Sequence, residues 1–342
     1  PFAQLHPTGL ISAGDANTQL TWMDAQVNGR PVTPRHGYAV EINALWYNAI
    51  KFYLQLVDMA AKVPGASTLY RNNDSSIKSE IVPKLKQLVA VLPKNFFDKF
   101  WDPKYGYLAD VVNDQGADFS LRPNQIFALS LPFSILEDYK KSSEMRSIIK
   151  HVKDFLITPF GIRTLSPKDP RYCRHYQGGV SDRDGGYHQG TVWPWPIAHF
   201  IEAYIKVAST HEVATAYLEK YFEPLFIEHI KAYGLGQIAE IFDGDHPHQP
   251  NGCIAQAWSV GEVIRGYELI KKNKEVALAS VKKTNNKKTG DKNKKVDNKK
   301  ETKKVLPIKS LVKSPKKTQS RSKKKKESNK KINATKSRGR SK

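Results

Sequence analysis

Two carboxylates, Asp24 and Glu240, are the residues of this 342-residue chain whose surroundings most suggest chemistry. Asp24 lies in Gln19-Leu20-Thr21-Trp22-Met23-Asp24-Ala25, and Glu240 in Gln237-Ile238-Ala239-Glu240-Ile241-Phe242-Asp243-Gly244-Asp245. Two further stretches share their character, Arg122-Pro123-Asn124-Gln125 and Asp184-Gly185-Gly186-Tyr187-His188-Gln189-Gly190-Thr191-Val192-Trp193-Pro194-Trp195. Sugars present apolar C–H faces that lie on indole and phenol rings, and hydroxyls that need paired donors and acceptors. The four stretches are dense in those partners and together read as a sugar pocket. Cleaving a glycosidic bond needs one group to protonate the leaving oxygen and, with inversion, a second to activate water on the opposite face. Carboxyls serve both roles. The bulk of Trp22 and Met23 predicts a desolvated Asp24 that keeps its proton, and Glu240 follows the apolar pair Ile238-Ala239. Either carboxylate alone would more often cap a helix or pair with an arginine.

Several neighbours are candidates for substrate contact. Trp22, Tyr187, Trp193 and Trp195 are candidate walls, whereas Trp46 and Trp258 fall on apolar helical faces and are expected to pack in the core. Glu41 stands at a helix start, where the macrodipole favours an acidic side chain in any case. Arg122, Asn124 and Gln125 open a helix around Pro123, so Asn124 serves either as its cap or as a sugar ligand. His188 and Gln189 lie between Gly186 and Gly190, which let a ligand approach closely. His175, His188, His246 and His248 invite a metal reading, but no third ligand falls at a usual spacing around His246 and His248, and neither metal nor cofactor is expected.

These loops must be held by the elements between them. Residues 1–39 lack a sustained apolar period and read as a long, functional loop. Apolar periodicity predicts a helix from Val40 to Lys62, with Ile42, Leu45, Trp46, Ala49, Tyr53 and Leu56 on one face, stopped by Pro64-Gly65. A second runs from Ile77 to Leu92 and is ended by Pro93. Others follow near Asn124–Tyr139, Glu144–Ile157, Trp195–Ser209, His211–Ile230 and Ile254–Ile270. Short turns alternate with the long segments Phe96–Pro123, Thr158–Pro194 and Lys231–Cys253, the pattern of helical hairpins whose long connections gather at one end and build a site. Strand-like alternation is scarce, so the expected class is all-α.

Charge divides the chain. Residues 271–342 hold 29 lysines and arginines against five acidic residues, a net +24, which leaves −2 for residues 1–270 out of the total of +22. All six tryptophans lie in residues 1–270, which should fold as one domain. The lysine-rich remainder has too few apolar groups to offset its ordering entropy and is expected to be a disordered basic tail, with nonspecific contact to polyanions as its one suggested partnership. Cys173 and Cys253 show no paired spacing, which favours a reducing compartment and a cytoplasmic location. No apolar run approaches the ~20 residues of a membrane span. The opening at Pro1 inside a loop, without a charged leader, predicts a missing start.

Six blocks in order, "GLISAGDANTQLTWMDA", "VTPRHGYAVEINALWYNA", "LRPNQIFALSLPF", "GIRTLSPKDPRY", "DGGYHQGTVWPWPIAHFIEAY" and "GQIAEIFDGDHPHQPNGCIAQAWSVGE", resemble the C-terminal, amylo-α-1,6-glucosidase domain of glycogen debranching enzymes over nearly all of residues 8–270. The resemblance implies an (α/α)6 barrel related to glucoamylases. It also implies Asp24 as general acid, Glu240 as general base, and glycogen or a related α-glucan as substrate. Such a barrel has twelve helices and about seven are readable here, so an N-terminally incomplete ring with exposed apolar faces is expected, poorly soluble or unstable in isolation. Inversion would set the two carboxyls ~6.5–9.5 Å apart. The rivals are a glucoamylase- or trehalase-like hydrolase of other linkages, and a non-catalytic protein that binds polyanions through its tail. Linkage preference, an upstream glucanotransferase domain and oligomeric state stay open.

Overall fold

The computed structural model describes residues 2–63, 80–140 and 142–293. Residues 1–289 form one compact unit, and a second comprises 290–342, of which only the first four residues are described. Nine α-helical segments occur among the described residues: α1 (Val40–Ala60), α2 (Val82–Phe100), α3 (Phe127–Ser130), α4 (Ser143–Phe155), α5 (Val180–Gly186), α6 (Ile197–Val207), α7 (His211–Glu223), α8 (Ile230–Ala232) and α9 (Ala257–Asn293). The fold is predominantly helical. Its core joins Val40 and Ala44 of α1, Leu92, Phe96 and Phe100 of α2, Phe127 to Leu129, the inner face of α4 and Phe200, Ile201 and Ala203 of α6.

Proline explains two departures from the predicted helices. Pro93 lies inside α2, which runs on to Phe100. An interior proline costs ~3 kcal/mol, and burying Phe96 and Phe100, worth ~1.5–3 kcal/mol each, offsets it. Pro132 has the opposite outcome. The residue before a proline is pushed out of the helical region, Leu131 is extended, and the predicted helix 124–139 breaks into a 3₁₀ turn at Pro123–Ile126, the short α3 and a second turn at Glu137–Tyr139. By contrast α4 begins where expected, with Ser142 Oγ accepting from the Met145 N–H at 3.3 Å. The apolar face predicted for α1 is largely exposed among the described residues, although Trp46 packs against the core. Leu45, Tyr53 and Leu56 are exposed, and the buried positions are Val40, Glu41, Asn43, Ala44 and Ile50.

The all-α expectation is corrected by short antiparallel strands within the long loops. Ile157–Thr158, Gly161–Arg163, Val192–Trp193, Ile241–Phe242 and Pro250–Asn251 form one five-stranded ribbon, in that order. Its register pairs Ile162 with Trp193 and Val192 with Phe242, which ties the loop carrying His188 to the loop carrying Glu240. A three-stranded ribbon sets Tyr38–Ala39, just before α1, beside the hairpin Val111–Asn113 and Gly116–Asp118. Strands of two or three residues are too short for alternation to be visible in sequence.

The boundary predicted at Ile270 is not a structural one. Helix α9 continues to Asn293, with Val263, Ile270, Asn273 and Ala277 buried at helical spacing. Asn273 Nδ2 donates to Thr215 Oγ1 at 2.8 Å, and Lys274 pairs with Glu219 at 2.7 Å, both across to α7. The remainder of the proposed basic tail, from residue 294, lies outside the described residues, as do residues 77–79 at the predicted start of the second helix. Among the described residues no helix is long and apolar enough to cross a membrane.

Candidate functional site

Glu240 sits at the entrance to the strand Ile241–Phe242, after the buried Ile238 and Ala239, and is 9% exposed. Backbone pairing fixes it against the neighbouring segment: its N–H donates to the Cys253 carbonyl at 2.9 Å, and its Oε2 accepts the Cys253 N–H at 2.8 Å. The Tyr187 hydroxyl donates to Oε1. Burial, and then the adjacent Glu240 carboxylate, push the Tyr187 phenol above its ordinary pKa, so it stays a donor. Close approach of the chain to Glu240 requires Gly252, which has φ +70° and where a Cβ would press on Oε2. Beyond Glu240 the loop is staked by Asp243, whose carboxylate accepts from the Tyr176 N–H and Asn251 Nδ2 at 2.9 Å each and stands 3.0 Å from His175 Nδ1.

Asp24 approaches from the first loop. The side chains there alternate in direction: Met23 is fully buried against Arg122 and Asn124, so Asp24 points outward with its side chain 63% exposed. The expectation that Trp22 and Met23 desolvate Asp24 and raise its pKa is therefore corrected. His188, whose Nε2 lies 3.7 Å from Asp24 Oδ1, holds the carboxyl below its usual value. His188 is 1% exposed, and burial lowers its pKa, so the ring is neutral near pH 7. It stacks on Trp193, with centroids 5.3 Å apart, and contacts Tyr187 at 4.8 Å. Asp24 and Glu240 thus each contact one of two sequence neighbours, Asp24 beside His188 and Glu240 bonded to Tyr187.

An indole wall flanks this cluster. Trp22 is half-buried, donates from Nε1 to Asn124 Oδ1 at 2.7 Å, and sets its edge against Trp195 at 4.9 Å and Trp193 at 5.5 Å. Trp195 is half-buried and stacks on Trp258 at 5.1 Å. Trp258, expected in the core, is 40% exposed and extends the wall, whereas Trp193, expected as a wall, is buried beneath it. Three nitrogens here, both of His188 and Nε1 of Trp195, have no hydrogen-bond partner within the described residues.

Other expected contacts lie one layer below. Glu41 is 2% exposed and pairs with Arg35, which also binds Asp110 through Nε at 2.6 Å. These carboxylates hold the Arg35 guanidinium well above its ordinary pKa even against burial. Arg122 donates to the His188 carbonyl at 2.7 Å, the Thr164 carbonyl at 3.0 Å and Gln189 Oε1 at 2.8 Å. Asn124 donates to Asp110 Oδ1 at 2.8 Å, and Gln125 Oε1 accepts the Leu108 N–H at 3.2 Å. Glu41, Asn124, Gln125 and Gln189 are buried with their polar atoms engaged by protein, so they position the loops rather than face a ligand, whereas Arg122, also buried, keeps Nε without a hydrogen-bond partner among the described residues. Arg35, Asp110 and Gly252 were not singled out from sequence. The first two carried no signal beyond charge, and Gly252 resembles any turn glycine.

Residues 2–265 match the family model described as amylo-alpha-1,6-glucosidase. A glycogen debranching enzyme of Saccharomyces cerevisiae is 28% identical over 230 residues, covering 58% of this chain and 14% of that protein, so the chain spans only a small part of that relative. Among solved structures, an uncharacterized conserved protein of Thermus thermophilus has TM-score 0.42 and 13% identity, over 69% of this chain and 46% of its own. Neutral trehalase of Saccharomyces cerevisiae has TM-score 0.42 and 12% identity, over 74% and 42%. With its family model matched over most of its length, the chain belongs to the amylo-alpha-1,6-glucosidase family of glycoside hydrolases.

Proposed function

We propose that this chain carries the acid and base of an inverting hydrolase that releases glucose from α-1,6 branch stubs of glycogen or a related α-glucan, within an (α/α)6 barrel. The observation that carries the proposal is the convergence of Asp24 and Glu240 on His188 and Tyr187 beneath the wall of Trp22, Trp195 and Trp258. Asp24 protonates the glycosidic oxygen as its bond to the anomeric carbon breaks. Glu240 takes a proton from water, whose oxygen bonds the same carbon from the opposite face. Both carboxyls then re-equilibrate with solvent. Glu240 suits the base: Tyr187 and Cys253 aim its lone pairs and neither donor can remove its charge. Asp24, whose carboxyl His188 holds below its usual value, suits the acid when a sugar covers its exposed side chain, because lost hydration disfavours the charged form. What supports an α-1,6 preference is the family's description and the likeness to a debranching enzyme.

The test is glucose release from a branched limit dextrin and from linear maltooligosaccharides. Release is expected from the dextrin in preference to the linear chains. Asp24→Asn and Glu240→Gln are each expected to lower kcat by ~10²–10⁴-fold. Near wild-type turnover in either variant would contradict the assignment.

A further inference from the structure

A cavity of about 300 Å³ lies between the segment entering α1 and the hairpin Val111–Asn113/Gly116–Asp118, and neither Asp24 nor Glu240 lines it. Its polar lining comes from Thr33, Asn113, Gln115, Asp118, Arg122 and Arg171, with His36 beside them. The volume is at the lower end of the ~300–1,000 Å³ of small-molecule sites. Its apolar lining is limited to small groups such as Pro34, Val111 and Ala117, too little for an apolar or aromatic ligand. An anion is disfavoured because Asp118 stands on the wall and each guanidinium already faces a carboxylate, Arg171 with Asp169 at 2.8 Å and Arg122 with Asp110 at 3.8 Å. A metal cation is disfavoured by the two guanidiniums. What remains is a neutral ligand with many hydroxyls, since amides, guanidiniums, a hydroxyl and a carboxylate offer the mixed donors and acceptors that vicinal hydroxyls require.

We propose that this cavity is a second saccharide site, for a glucosyl unit bound apart from the Asp24–Glu240 cluster. The choice of glucose over another polyol rests on the α-glucan function proposed above. Two residues of the cavity reach the catalytic loop. Arg122 holds the His188 carbonyl and Gln189 Oε1, and Thr33 Oγ1 meets Gln189 Nε2 at 3.4 Å. A sugar seated here rests on the same groups that fix His188 beside Asp24.

The test is calorimetric titration of the full chain with maltotriose, in a Glu240→Gln background that suppresses turnover. Two sites are expected. Ala117→Trp, which fills the cavity from its exposed hairpin, should abolish one of them, and Gln115→Ala should weaken the same one by at least threefold, with the other site and the melting temperature unchanged. A single site, or two sites untouched by both variants, overturns the proposal, as does displacement at this site by inorganic phosphate alone. Two sites with the expected losses, in a protein whose wild type releases no glucose, would sustain the cavity assignment while sinking the hydrolase reading.

Discussion

Tyr187 and Gly252 decide how firmly Glu240 is held. The phenol donates to one carboxylate oxygen and the Cys253 N–H to the other, while Gly252 leaves room for the second contact. A hydrogen bond to a charged group contributes ~1.5–3 kcal/mol, and each ~1.4 kcal/mol is a factor of ten in rate. Tyr187→Phe is therefore expected to lower kcat by roughly 10–100-fold with KM nearly unchanged, measured by steady-state glucose release. A rise in KM alone would instead make the phenol a substrate contact. At this scale the sequence displayed both carboxylates and the aromatic company they keep. The ionisation of Asp24 was not legible, because it depends on which of Trp22, Met23 and Asp24 turns inward. Met23 does, and Asp24 is left to water and to His188.

Between elements, the buried group Arg35, Glu41 and Asp110 ties the first turn of α1 to the loop before it and to the hairpin opening at Val111. Removing one partner of a buried ion pair costs ~3–5 kcal/mol, because the remaining charge stays desolvated. Glu41→Gln retains part of the hydrogen bonding, so a cost toward the lower end is expected. It should appear as a lower melting temperature with KM unchanged in the folded fraction; raised KM at unchanged stability would restore Glu41 as a substrate contact. Helices α1, α4, α6 and α7 were legible because their apolar period runs for three turns or more. The path through Pro93 was not, since local chemistry forbids what Phe96 and Phe100 recover by packing. The five-stranded ribbon was invisible for a related reason: its register comes from bringing distant loops together.

For the molecule as a whole, burial of neutral histidines sets an acid limit. Burial lowers the pKa of His188, His229 and His248, and takes His199 down to about 3. Each is depressed below the ~6.5 of an unfolded histidine, so below that pH the unfolded chain binds protons the folded chain refuses. Stability is then full above pH ~6.5 and falls as pH drops toward the folded pKa values, by up to ~1.4 kcal/mol per unit for each site. His199 alone would remove ~3 kcal/mol by pH 4.5, against a typical total of ~5–15 kcal/mol. Urea midpoints should drop steadily from pH 7 to 5, and less steeply in His199→Gln; a flat profile would contradict this. Composition misplaced the end of the domain because Lys271, Lys272 and Lys274 dominate the local charge. Asn273 and Ala277, buried on the opposite side of α9, reveal its packing only in three dimensions.

The central claim is that Asp24 and Glu240 flank one α-glucosidic bond, a proton donor on one side and an activated water on the other. The most direct measurement is the anomeric form of glucose first released from an α-1,6-branched dextrin, followed by proton NMR before mutarotation. Inversion predicts β-glucose at early times, drifting to the equilibrium mixture. Glucose that appears first as the α-anomer, or no glucose at all from a folded protein, would contradict the account.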